Sequence, residues 1–157
     1  MRDAEKFAVA KLPGARLLMA VAPYYRAIAD HLQRGAELAA EEAEATLDRV
    51  FVPGAFEIPA AIMHAAKNEA YDGYIALGCV VRGETSHYDY VCGESARGLM
   101  ELSIHRGLAI GYGVLTVENI AQAEARADPK RGDKGGEAAR AALAMIALKQ
   151  RFAALKR

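Results

Sequence analysis

Residues Tyr74 to Val81 read YIALGCVV and lead directly into RGETSHYDYVC, Arg82 to Cys92. A short apolar run bounded by Gly73 on one side and Arg82-Gly83 on the other reads as a buried strand, and the polar turn after it opens a helix over His87 to Arg106. The turn has two readings. Thr85 or Ser86 can simply cap the helix. Alternatively, Gly83 lets a ligand approach the backbone, and Glu84, Thr85 and Ser86 lead into free N–H groups and a helix dipole that attract an anion such as phosphate. The segment alone favours neither, and the Glu84 carboxylate suits an anion only if it turns away.

The same alternation extends in both directions. RLLMAVA (Arg16 to Ala22), TLDRVFV (Thr46 to Val52) and LAIGYGVLTV (Leu108 to Val117) are further apolar runs that read as buried strands. Between and after them lie helical stretches at Tyr24 to Ala45, Phe56 to Ala70, Asn119 to Ala127 and Glu137 to Leu155. Near-continuously apolar strands separated by helices predict a parallel sheet covered on both faces and wound by right-handed crossovers. The expected architecture is α/β: a flavodoxin-like three-layer α/β/α sandwich with a four-stranded parallel sheet. A length of 157 residues fits a single domain over 1–157, with 1–15 as an irregular N-terminal arm. The broad apolar surface of the last helix points to an oligomer.

Twenty basic and twenty acidic residues give a formal net charge of zero. That balance argues against a nucleic-acid groove or a membrane surface and for a small-molecule partner. No apolar run reaches the roughly 18 residues needed to span a bilayer. The N-terminus, MRDAEKFAVAKLPGAR, lacks the apolar core of a signal peptide, so a cytoplasmic location is expected. Cys79 in a strand and Cys92 in a helix are expected to be reduced thiols rather than a disulfide.

Ligands of open parallel sheets bind beyond the strands' carboxyl ends. Those ends here are PYY, PGAFE, RGETSH and TVEN. Of the four histidines, His31, His64 and His105 fall within helical patterns, and only His87 lies at a strand's carboxyl end. A helix start disfavours an added positive charge, and a neutral imidazole accepts protons near neutral pH, so His87 is the candidate base. His87 and Cys92 are five residues apart, on different helix faces, which argues against a Cys-His nucleophile pair. No spacing suggests a metal site. Phe56 beside Glu57 suits a flat ring bearing hydroxyl groups, although a Glu in a first helical turn is also favoured by the dipole. Tyr24 can stack on a ring or cover the core. In ARADPKRGDKGG, Arg126 is the best phosphate candidate, Pro129 ends the preceding helix, and most such charge runs are solvated.

VPGAFEIP, LGCVVRGETSHYDYVC, GVLTVENIAQAEAR and DKGG, with the spacing between them, make the chain resemble the lumazine synthase family from about Arg16 to the C-terminus. The resemblance implies condensation of 5-amino-6-(D-ribitylamino)uracil with 3,4-dihydroxy-2-butanone 4-phosphate, without a cofactor. It implies proton transfer by His87 and phosphate held by Glu84, Thr85 and Arg126, with Lys134 assisting. It also implies ring stacking on Tyr24, ribityl contacts from Ala55, Phe56 and Glu57, a ring lining of Cys79, Val80 and Val81, and Tyr112 donated by a neighbouring subunit. The implied partners are a homopentamer, inorganic phosphate and riboflavin synthase. Pro23, Tyr24 and Tyr25 replace the Arg-Phe-Asn of many members, which predicts altered affinity. By fold alone, a flavodoxin-like FMN carrier would also fit, but an electron carrier needs no base beside a phosphate site; the departures around Pro23 leave a shell-forming or ligand-storing protein with little catalysis as a third reading.

Overall fold

The computed structural model describes residues 11–155. Of the expected N-terminal arm, residues 1–10 lie outside the described residues; the remainder forms a turn, with the Leu12 amide donating to the Ala43 carbonyl at 2.9 Å. The chain then runs β1 (Arg16–Val21), α1 (Arg26–Glu42), β2 (Thr46–Phe51), a single 3-10 turn (Ala55–Glu57), α2 (Ile58–Ala66), β3 (Gly73–Val81), α3 (His87–Arg106), β4 (Ala109–Val117), α4 (Ile120–Ala127) and α5 (Lys134–Ala153). The four strands are all parallel in the order β2-β1-β3-β4, with Val21 level with Phe51 and Leu77, and Val81 level with Val117. This is the expected α/β fold.

Alternate residues of β1 feed two cores. Leu17, Met19 and Val21 join Leu32 of α1, Ala123 of α4 and Leu143 of α5 on one face, while Leu18 and Ala20 join Ile58 and Ile62 of α2 and Leu99 of α3 on the other. Leu17, Leu32, Ile75, Leu77 and Leu143 are among the largest fully buried side chains. Each contributes about 1.5–3 kcal/mol through burial. Helix α1 presents Ile28, Leu32, Ala36 and Ala39, a helical stripe facing the core.

Small residues bring α5 unusually close to its neighbours. A Cβ added to Gly111 of β4 would collide with the Ala138 carbonyl, and one added to Gly135 would collide with the Leu32 carbonyl. Helix α5 therefore lies backbone against backbone on β4 and α1. Its start is fixed by Asp133, whose carboxylate accepts from the Gly136 amide at 3.3 Å and pairs with Arg140 at 3.1 Å, largely out of solvent.

Three expectations need correcting. β2 is not buried: it is an edge strand with only Leu47 half-buried, and its polar Asp48 and Arg49 reach outward to Tyr71 and Gln33. The helix expected from Phe56 is preceded by the 3-10 turn and begins at Ile58, with Pro59 at a first-turn position that needs no N–H. The last helix begins at Lys134 rather than Glu137, because Asp133 rather than the glycine pair provides the cap. Among the described residues, no helix is long and apolar enough to cross a membrane.

The glycine contacts predict opposite outcomes for two Gly-to-Ala changes. Gly111→Ala should lower stability by about 3 kcal/mol or more, since a backbone carbonyl cannot yield as a side chain does. Gly93→Ala, in α3 with nothing within 4 Å of the added methyl, should gain up to about 1 kcal/mol. Urea unfolding of both variants checks this; equal effects would mean that α5 does not contact β4 this closely.

Candidate active site

Because all four strands point the same way, their carboxyl ends share one edge of the sheet. A cleft of about 560 Å³ opens there. Tyr24 and Tyr25 line it after β1, Pro53 to Glu57 after β2, Cys79, Val80 and Val81 from β3, and His87 and Val91 from the first turns of α3. Other depressions among the described residues include one between α1 and β2 around Glu37 and Arg49 and one between α2 and α3 around Met63 and His105. Neither holds a residue singled out for chemistry, so the strand-end cleft is the candidate site.

The floor is apolar and partly dry. Burial pushes the Cys79 thiol up to about 11, with Cys92 acting in the same direction. Burial also raises Cys92, and it raises Tyr25, to which Tyr24 and Cys79 add. Both cysteines are free and both stay protonated near neutral pH, so neither suits a nucleophile. The walls, by contrast, are bare: Tyr24 is 77% and Phe56 56% exposed, and Tyr24 leans edge-on against Tyr25 at 4.9 Å between centroids. Glu57 lies exposed at the end of the 3-10 turn, its carboxylate folded toward Gly54.

The turn from β3 into α3 keeps its amides available. Ser86 occupies the cap position without a side-chain cap bond, and the Thr85 hydroxyl accepts only a long 3.4 Å contact from the His87 amide. Among the described residues, no amide of 83–86 donates to a backbone carbonyl. The space over Gly83 is open, with no atom within 4 Å of where a Cβ would stand. The capping reading of RGETSH is thereby weakened, and an anion fits the helix start.

The cleft brings together Tyr24, Ala55, Phe56, Glu57, Cys79, Val80, Val81 and His87. Glu84 and Thr85 sit exposed on the adjoining turn. Three expected residues are not in this chain's cleft. Tyr112 projects from β4 toward the α3 face and is 47% exposed, with Cys92 and Tyr88 near its buried root. Arg126 is exposed near the end of α4 and donates back to the Gln122 carbonyl at 3.0 Å. Lys134 pairs with Glu137 at 2.8 Å.

Tyr25 and Val91 were not foreseen. Val91 follows His87 by four positions and so shares its helix face, a signal that was available. Tyr25 is extended (φ −102°, ψ 94°) at the head of α1, so consecutive tyrosines diverge there, and only the structure reveals which one turns inward.

Residues 14–150 match the sequence profile of a family described as 6,7-dimethyl-8-ribityllumazine synthase. The chain is 54% identical to the protein of that name from Novosphingobium aromaticivorans, over 88% of this chain and 99% of the relative. It is 55% identical to that of Bartonella tribocorum, over 87% and 91% of the two chains. It is 52% identical to 6,7-dimethyl-8-ribityllumazine synthase 1 of Rhizobium meliloti, over 94% and 100%.

Thiol chemistry offers a direct probe of the floor. With Cys79 raised from 9.0 to about 11, its thiolate should be scarce at pH 8, and alkylation of the folded protein at this residue should run about a hundredfold slower than in urea. The rate should climb as pH rises toward 11. Mass spectrometry of iodoacetamide-treated protein measures it, and equal rates in both states would place Cys79 in open solvent.

Proposed function

We propose the reaction from one premise: the chain belongs to the 6,7-dimethyl-8-ribityllumazine synthase family. It is an enzyme of riboflavin biosynthesis, a transferase that condenses 5-amino-6-(D-ribitylamino)uracil with 3,4-dihydroxy-2-butanone 4-phosphate and releases phosphate and water. The observation that carries the site assignment is His87 lining the same cleft as Phe56 and Glu57, at a helix start whose amides are uncommitted.

In this reading, Gly83 to Thr85 receive the phosphate through backbone N–H groups and the Thr85 hydroxyl, with Glu84 turned outward. The pyrimidine stacks against Tyr24 over the apolar floor of Cys79, Val80 and Val81, and Glu57, with Ala55 and Phe56, meets the ribityl chain. His87 moves protons as the 5-amino group attacks the ketone and a first water leaves, phosphate is eliminated, and the ribitylamino nitrogen closes the second ring on the remaining carbonyl with loss of a second water. Bringing the two reactants together in a dry cleft supplies much of the acceleration, and the reaction draws on no cofactor.

A single chain leaves the pocket open. Tyr24 and Phe56 are bare, whereas Tyr112, Arg126 and Lys134 lie outside their own chain's cleft. A ring of identical subunits, a homopentamer, answers both facts: Tyr112 of one copy closes the pocket of the next, and the basic residues bring charge to the phosphate across the same boundary. The whole chain then acts as one domain in the cytoplasm, passing its product to riboflavin synthase.

Replacing His87 by Ala should lower kcat by roughly 10² to 10⁴ while leaving phosphate and pyrimidine binding nearly intact. Unchanged turnover together with an unchanged pH–rate profile would make the imidazole structural. Arg126→Ala should weaken competition by inorganic phosphate by about tenfold or more. Rings mixed from Tyr112→Ala and His87→Ala subunits test the shared pocket, because each mixture contains sites where an intact Tyr112 faces an intact His87. Recovered activity is expected, and none in verified mixed rings would mean that each site is built within one chain.

A further inference from the structure

We propose that Arg82 is a positioning residue whose side chain clamps shut the turn Gly83–His87, holding the phosphate-binding amides and the His87 imidazole in working register; the proposal rests on the reaction assigned above. The turn is bounded by Arg82 on one side and by Tyr88 and Asp89 on the other, and the Arg82 side chain reaches across that gap. Its guanidinium carbon lies 4.2 Å from the centroid of the Tyr88 ring, and its Nη1 is 3.5 Å from the Asp89 carboxylate. The same guanidinium anchors to the neighbouring strand, with Nε donating to both oxygens of Glu118 at 2.9 and 3.1 Å. The Arg82 amide donates to the Val117 carbonyl at 2.9 Å, one residue before Glu118. One side chain therefore ties together the end of β3, the end of β4 and the first turn of α3.

The turn has little else to hold it. Ser86 makes no side-chain cap bond, the Thr85 contact is long, and no atom stands over Gly83. Amides left free for a ligand are amides that cannot brace the backbone, so the bracing has to come from outside the turn. Arg82 can supply it because a planar guanidinium stacks on an aromatic face and forks to a carboxylate simultaneously, which an ammonium cannot do. Glu118 is in turn fixed through its own amide, which donates to the Gln122 side chain at 2.8 Å. Two carboxylates already face the guanidinium, so Arg82 serves the turn rather than competing as a further phosphate ligand.

The test compares Arg82→Met, Arg82→Lys, Glu118→Gln and the Arg82→Met/Glu118→Gln double variant in the assembled enzyme. It reads steady-state constants for both substrates, inhibition by inorganic phosphate, melting temperature, and amide hydrogen exchange at residues 83–87. Arg82→Met should raise KM for the butanone phosphate and the phosphate inhibition constant about tenfold and lower kcat about tenfold, with pyrimidine KM within about twofold of wild type. Exchange at 83–87 should quicken. Arg82→Lys should shift the same quantities less, and it carries the test if the Met variant does not fold. Glu118→Gln should act in the same direction as Arg82→Met, and the double variant should be no worse than Arg82→Met alone. Tighter phosphate binding in Glu118→Gln would overturn the proposal, because it would reveal a direct phosphate ligand released from its partner. Wild-type kinetics and exchange in Arg82→Met would overturn it too, even with a lowered melting temperature. Absence of lumazine turnover in the wild-type enzyme would instead refute the assigned reaction, and the exchange data would still report on the clamp.

Discussion

A parallel sheet must carry its chain back across one of its faces after every strand, and here the return depends on helices that can lie almost in contact with the backbone beneath them. Gly111 against Ala138 and Gly135 against Leu32 set how near α5 comes to β4 and α1. The four strands run parallel, with Val21 level with Phe51 and Leu77 and Val81 level with Val117, so their carboxyl ends align on one edge. The cleft is a consequence of that alignment. Residues from four separate stretches of chain reach the same space because the sheet delivers them there.

The two sides of the sheet divide their tasks. On the α1, α4 and α5 side, alanine-rich packing and the capped Asp133–Arg140 pair make a rigid foundation. On the α2 and α3 side, the core thins toward the strand ends, and large aromatics stand exposed. An apolar, partly dry floor that raises the Cys79 thiol lies beneath an open mouth that includes Glu57 and His87. Apolar surface suits a flat ring by contact area, and uncommitted amides at a helix start suit an anion. Tyr112, on the edge strand β4, is 47% exposed and does not line its own chain's cleft.

Much of this was legible in the sequence because strand ends carry their own punctuation. VPGAFE and RGETSH announced the turns, and the structure puts Glu57 and His87 in one cleft. β2 was misread as buried, since its apolar ends outweighed Asp48 and Arg49, two polar residues whose place in mid-strand marks an edge. The separation of Arg126 and Lys134 from the cleft could not be read at all. Both lie close in sequence to a strand end, but sequence distance does not say toward which side of the edge a helix turns its charges. Nor could the Arg82 clamp be seen, because it joins residues as far apart as 82 and 118 through side-chain geometry alone.

The central claim is that this edge of the sheet performs a cofactor-free condensation. Single-turnover mixing of the purified protein with 5-amino-6-(D-ribitylamino)uracil and 3,4-dihydroxy-2-butanone 4-phosphate measures it directly, with lumazine followed by absorbance and phosphate by release. The account predicts equal amounts of lumazine and phosphate, formed at a rate set by enzyme concentration without added metal or flavin. A protein that forms no lumazine above the uncatalysed background, yet binds a flavin stoichiometrically and reduces it reversibly, would contradict it.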